Sequence, residues 1–177
     1  MRMKSYKQKL NNITTFIFDV DGVLTDASVI LFPTGEMVRT MNTKDGYAMQ
    51  LAIKKGFRIA TISGGRDKMV EARLRYLGVT DIYTGTLDKW DAYQDFIFSY
   101  QLKPEEIICM GDDMPDIDIM KDVGLACCPN DAVPDVRAVA EYISPKNGGE
   151  GCVRDIIEQT MKVQGKWYDE NDHTPSA

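Results

Sequence analysis

Short apolar runs alternate with helical patterns along this chain, and that alternation limits the possible folds more than any other feature. Ile13 to Phe18 is β-branched and aromatic, with Asn11-Asn12 before it and acids after it, as expected of a buried strand. A helical stretch from about Asp45 stops at Gly56, a left-handed cap, and the next strand is Phe57 to Ile62. A helix from about Asp67 to Leu77 carries Met69, Val70, Leu74 and Leu77 as its apolar stripe and ends at Gly78. The pattern continues with a short strand at Ile82-Tyr83, a helix from Lys89 to Tyr100 and a strand from Ile107 to Met110. A helix at about Asp116 to Asp122, a strand from Leu125 to Cys128 and a helix from Val153 to Val163 complete it. Strands separated by helices form right-handed parallel units, so the expected fold class is α/β, a doubly wound parallel sheet. Such a sheet binds ligands outside the carboxyl ends of its strands.

One segment breaks the alternation. Ser28 to Phe32 and Met37 to Met41 flank the turn signal Pro33-Thr34-Gly35-Glu36, which predicts a β-hairpin insertion at about 28–41 and leaves no stretch for a cap domain. The remainder reads as a single domain over 1–164, followed by a polar, mobile tail at 165–177 that holds the only histidine, His173. A net charge of −6 argues against nucleic-acid and membrane-surface partners. Cys109, Cys127, Cys128 and Cys152 include no CxxC pair and read as core residues in a reducing compartment. Met1 to Lys4 is basic, but polar Ser5 to Lys9 stands where a signal peptide needs an apolar run, and the expected location is cytoplasmic.

The chemistry lies where strands are expected to end. Asp19-Val20-Asp21-Gly22 follows the first strand, with two carboxylates at i and i+2 and a glycine that lets backbone approach a ligand. An EF-hand is excluded, because that loop needs a third acid before its glycine and a Glu at its end. Gly111-Asp112-Asp113-Met114-Pro115-Asp116 follows the Ile107–Met110 strand. One of its acids can cap the next helix, but three together repel one another unless a cation intervenes. An oxygen-only set of this kind suits Mg²⁺. Ser63-Gly64-Gly65 can cradle a phosphate with hydroxyl and backbone N–H groups, and Lys89 can supply a point charge to it.

With these four elements in this order, the sequence resembles the haloacid dehalogenase superfamily of phosphohydrolases over roughly Ile13 to Gln164. It is most similar to the small cap-less branch that acts on phosphates of 2-keto-3-deoxy sugar acids. The Asp19–Asp26 motif, the hairpin, the Asp45-Gly46 pair and Gly148-Gly149-Glu150-Gly151 ahead of Arg154 carry that likeness. The resemblance implies Asp19 as nucleophile, Asp21 as general acid/base, and Ser63 and Lys89 as catalytic contacts to the phosphoryl oxygens. It implies phosphate contacts at Asp21, Gly22 and Gly64, and Mg²⁺ held by Asp19, the Asp21 carbonyl and Asp112. Asp113 or Asp116 would orient Lys89 or metal-bound water. An anionic sugar needs a basic contact away from the phosphate, for which Lys44, Arg66, Arg73 and Arg154 are candidates, and Asp45 joins them as an expected substrate-binding residue. One departure is visible: family members commonly have Thr-Gly-Arg where this chain reads Ser63-Gly64-Gly65-Arg66, which displaces the basic group by one position. The implied substrate is the eight-carbon sugar-acid phosphate, with a nine-carbon sialic-acid-type 9-phosphate as rival. The implied assembly is a homotetramer joined through the hairpins, with the glycine segment a flexible strap. A phosphoacceptor receiver domain shares these residue types, but has its paired acids before the acceptor and its lysine last.

Overall fold

The computed structural model describes residues 5–169; the tail beyond, with His173, and Met1 to Lys4 lie outside the described residues. A short helix α1 (Tyr6–Lys9) leads into the central strand β1 (Thr15–Phe18), and the hairpin strands β2 (Ile30–Leu31) and β3 (Met37–Val38) follow. Then come α2 (Thr43–Lys54), β4 (Arg58–Ile62), α3 (Lys68–Tyr76), β5 (Asp81–Tyr83), α4 (Lys89–Tyr100) and β6 (Ile107–Met110). The chain continues through α5 (Ile117–Asp122), β7 (Leu125–Cys128), α6 (Pro134–Val139), β8 (Tyr142–Ile143) and α7 (Cys152–Val163).

Six strands form one sheet in the order β5-β4-β1-β6-β7-β8, every neighbouring pair parallel. Strands β1, β6 and β7 are buried throughout, as uninterrupted apolar runs in a doubly covered parallel sheet must be. Alternation along β1 divides the core. Phe16 and Phe18 face a layer that includes Met49, Leu51, Leu74, Ile156 and Ile157, whereas Ile17 faces Tyr93, Phe96, Ile119 and Val136. After β1 the chain builds outward to β4 and β5, then crosses to β6 on the other side. That reversal opens a crevice at the carboxyl end of β1.

The structure shortens some expected elements and adds others. Ile13 and Thr14 precede β1, and Asp67 and Asp116 stand outside their helices as caps. Helix α6 and strand β8 were absent from the expectation. Each is short, and β8 exists only through pairing with Cys127 and Cys128. The hairpin is smaller than the flanking apolar runs imply and forms its own two-stranded sheet. Val29, Ile30, Leu31, Phe32 and Met37 on it are exposed. The start of the tail is packed rather than loose: Trp167 lies against the core and under the Arg154 guanidinium, and the Lys166 amide donates to Met161. All four cysteines are free and buried. Among the described residues no helix is long and apolar enough to cross a membrane.

Candidate active site

Each acid cluster sits where a central strand runs out. Asp19 directly follows β1 and caps a kinked turn over Val20–Leu24, its Oδ1 accepting from the Val20 amide at 2.7 Å. Inside that turn Gly22 has φ 88°, a left-handed conformation that side chains disfavour. A Cβ there would also stand 1.9 Å from an Asp112 carboxylate oxygen, so glycine is what lets the β1 turn and the β6 turn meet. Past β6, Asp116 closes the Asp113–Asp116 capping box and accepts from the Asp112 and Asp113 amides at 3.1 and 3.4 Å.

Lys89, the first residue of α4, reaches into this cluster with only 8% of its side chain exposed. Its ammonium lies 2.9 Å from Asp19 Oδ2 and 2.7 Å from Asp116 Oδ1. Asp116 is therefore the acid that orients Lys89. Asp113, the other candidate for that task, is exposed, and its side chain accepts from the Met114 amide instead. Burial lowers the tendency of Lys89 to carry charge, but Asp19 and Asp116 outweigh it and hold the ammonium raised above its ordinary pKa. Burial, reinforced by neighbouring carboxylates, pushes both Asp19 and Asp112 above the usual carboxylate range. One lysine does not neutralise three crowded acids.

Asp19, Asp112 and Asp116 can each offer an oxygen within 4.8 Å of the others, and Asp112 Oδ1 is buried without a hydrogen-bond partner. An orphaned carboxylate oxygen facing two more acids fits a hard divalent cation such as Mg²⁺. To the expected side chains of Asp19 and Asp112 this cluster adds that of Asp116. Across the crevice Ser63 directly follows β4, 5% exposed, and its Oγ accepts from the Gly65 amide at 3.2 Å. Gly64 is beside it, open to solvent.

The Asp21 carboxylate is held by Arg39, a residue that the sequence reading passed over as part of the hairpin's return strand. Arg39 Nε and Nη2 donate to the two Asp21 oxygens at 2.6 and 3.1 Å, and Nη1 donates to Asp67 at 2.9 Å. The available signal was a single charge inside the apolar run Met37 to Met41.

The expected basic contacts are dispersed. Arg66 is exposed beside Gly85, and Arg73 rests over the Tyr76 ring on α3. Lys44 and Arg154 share an open groove of about 440 Å³ with Lys146, Glu150, Glu158 and Lys162, and Arg154 pairs with Glu158. Asp45 is no surface contact: it is 1% exposed and accepts from the Arg154 amide at 2.7 Å, anchoring the start of α7. Burial pushes it up to about 6, against the hydrogen bonds from the Arg154 and Gly151 backbone. The glycine segment is fastened as well. The Gly149 amide donates to Val23, the Gly148 amide to Asp131, and Asn42 donates to the Gly149 carbonyl, which ties this strap to the turn bearing Asp21.

Acids at the carboxyl ends of β1 and β6, a serine after β4 and a buried lysine at the head of α4 define a hydrolase site of the haloacid dehalogenase type, and comparison agrees. Residues 67–156 match the sequence family described as haloacid dehalogenase-like hydrolase. The chain is 35% identical over 158 residues to the 3-deoxy-D-manno-octulosonate 8-phosphate phosphatase KdsC of Escherichia coli K12, covering 89% of this chain and 84% of that protein. It superposes on the crystal structure of the Yersinia pestis phosphatase of that name with a TM-score of 0.90 at 34% identity, over 93% of this chain and 89% of the other. The Moraxella catarrhalis counterpart, solved in complex with magnesium ion, phosphate ion and KDO, gives a TM-score of 0.89 at 30% identity, covering 94% of this chain and 95% of the other. The chain belongs to the cap-less haloacid dehalogenase-like hydrolases, in the family of the 3-deoxy-D-manno-octulosonate 8-phosphate phosphatases. Its motif order and its relatives both exclude the receiver-domain alternative.

Proposed function

We propose that this chain is a Mg²⁺-dependent phosphomonoesterase that releases phosphate from 3-deoxy-D-manno-octulosonate 8-phosphate. The observation that carries the reading is the Asp19–Lys89–Asp116 bridge with the unpartnered Asp112 oxygen beside it, at the carboxyl edge of the sheet. The family, and the sugar acid and phosphate in the Moraxella catarrhalis structure, support the substrate.

In this reading an Asp19 carboxylate oxygen forms a bond to phosphorus as the bond to the sugar oxygen breaks, leaving an aspartyl-phosphate and an alkoxide. Asp21 gives that alkoxide its proton. It then takes a proton from the water that attacks phosphorus and regenerates Asp19. Ser63 Oγ and the Lys89 ammonium bind the phosphoryl oxygens, with the Gly22 and Gly64 backbone beside them. Asp116 keeps Lys89 aimed. Mg²⁺ bound by Asp19 and Asp112 would neutralise the repulsion between carboxylate and phosphate.

The exposed apolar face of the hairpin, Val29 to Phe32 with Met37, supports assembly of copies into a homotetramer, because closed symmetric contacts bury such a surface. Light scattering tests this, and a fully active monomer overturns it. A panel of phosphorylated sugars and sugar acids, including a nine-carbon 9-phosphate, tests the substrate. With Mg²⁺ present, kcat/KM should be highest for the eight-carbon sugar-acid phosphate, and a higher value for any other member overturns the assignment.

A further inference from the structure

We infer that Arg39 determines specificity at this site: its guanidinium exchanges Asp21 for a second anionic group on the substrate, a carboxylate, and thereby frees the Asp21 carboxyl for the reaction. The inference rests on the proposed function for the role of Asp21.

The geometry first shows a closed state. Both Asp21 oxygens accept from Arg39, in the forked arrangement that makes guanidinium–carboxylate pairs strong. While that clasp holds, both oxygens are taken up by guanidinium donors. Arginine does not give up a proton to relieve it, so the side chain must move. The space behind the clasp leads to the same conclusion. The niche lined by Asp21, Arg39, Ser63, Gly65, Asp67 and Thr84 has a volume of about 10 Å³. That is roughly room for one water, so a larger group enters this niche only if a lining side chain moves.

The surroundings show what can open it. Arg39 is 8% exposed at the side chain, and on leaving Asp21 it would keep Asp67 as its one anionic partner and lose the forked pair, so a second anion is needed to restore it. A substrate carboxylate supplies one, and a neutral sugar does not. Asp67, fixed as the cap of α3 through its Oδ1, holds Arg39 Nη1 through its Oδ2 and provides a pivot. Gly65 borders the guanidinium, and a Cβ there would make ordinary contacts only. Arg39 Nη2 and Asp21 Oδ2 each lie 3.5 Å from where a Gly65 Cβ would stand, and Ser63 Oγ lies 3.7 Å from it. A long side chain at position 65 would occupy the place that Arg39 takes. The basic group that holds Asp21 thus comes from the hairpin's return arm, which belongs to a sheet of its own, and not from Arg66 in the loop after β4.

The test measures kcat and KM with Mg²⁺ on two probes, 3-deoxy-D-manno-octulosonate 8-phosphate and the neutral glucose 6-phosphate, for wild type, Arg39→Ala, Arg39→Lys and Asp67→Asn. Arg39→Ala should lose about 10- to 100-fold in kcat/KM on the sugar acid, the loss expected of one hydrogen-bonded charge pair. The same variant should gain several-fold in kcat on glucose 6-phosphate, because Asp21 is no longer clasped. Arg39→Lys keeps the charge without the fork and should retain part of the preference. Asp67→Asn keeps the helix cap, loosens the pivot and should shift the ratio in the same direction by less. Should Arg39→Ala fail to fold, these two variants carry the test. Equal losses on both probes, or an unchanged ratio, overturn the role of Arg39 alone. A folded wild type with no preference for the sugar acid overturns the substrate assignment and this inference with it.

Discussion

Two regions of this molecule hold partly or fully buried acids, and they treat them in opposite ways. At the seam between α7 and β8, Asp155 accepts from Tyr142 at 2.6 Å, Ser144 at 2.8 Å and Gln159 at 3.0 Å. Gln159 in turn accepts from Tyr6 of α1, whose ring lies 4.7 Å from that of Tyr142. Every group in this seam has a neutral partner, which ties the start of the chain to its last helix. At the carboxyl edge of the sheet, Asp19 and Asp116 share one lysine, an Asp112 oxygen beside them has no partner, and Asp21 is clasped by arginine. Satisfied acids stabilise a fold; crowded, undersupplied ones store a demand for positive charge that a cation and a substrate can meet.

Exchanging an acid at each end separates the two behaviours. Asp19→Asn should cost on the order of 10⁴-fold or more in turnover, since an amide is a poor nucleophile, while thermal stability holds or rises as crowding is relieved. Single-turnover phosphate release from a freshly purified variant checks it, and substantial activity would remove Asp19 from the chemistry. Asp155→Ala should do the reverse. Stranding three donors should lower unfolding free energy by roughly 3–4 kcal/mol in urea titrations, with kcat/KM within about 3-fold of wild type.

Asp45 belongs to neither class fully, and pH exposes that. Its pKa is raised from 3.8 to about 6, so the folded state binds the proton more tightly than the unfolded chain does. Its contribution to stability is therefore greatest below about pH 4 and falls as pH rises towards 6, by about 3 kcal/mol at most. The stability difference between wild type and Asp45→Asn, measured at pH 4 and pH 7, should shift by that amount in favour of the variant. A pH-independent difference would contradict it. The smallest effect concerns the cation. Mg²⁺ at about 100 times its Kd should add about 2.7 kcal/mol to the folded state, a rise in Tm of roughly 5–10 °C. Asp155→Ala should keep that rise, Asp112→Asn should lose most of it, and a chelator should reverse it along with activity.

Local pattern determined much of this protein. The strands Ile107–Met110 and Leu125–Cys128 and the helix Lys89–Tyr100 have the expected ends, because apolar runs and helix starts are written in neighbouring residues. The positions of Asp19, Ser63 and Asp112 just past strand ends, and of Lys89 at a helix start, follow from the same periodicity. What the tertiary structure alone decided is which charges meet. Arg39 reaches Asp21 across 18 residues and Asp67 across 28. Asp45 turned out to anchor a helix that begins more than a hundred residues later, whereas Arg66 and Arg73, equally basic on paper, went to other surroundings. Hydrophobic periodicity is a property of adjacent residues. The pairing of buried charges depends on which turns the sheet brings within hydrogen-bonding distance, and only the folded chain sets that.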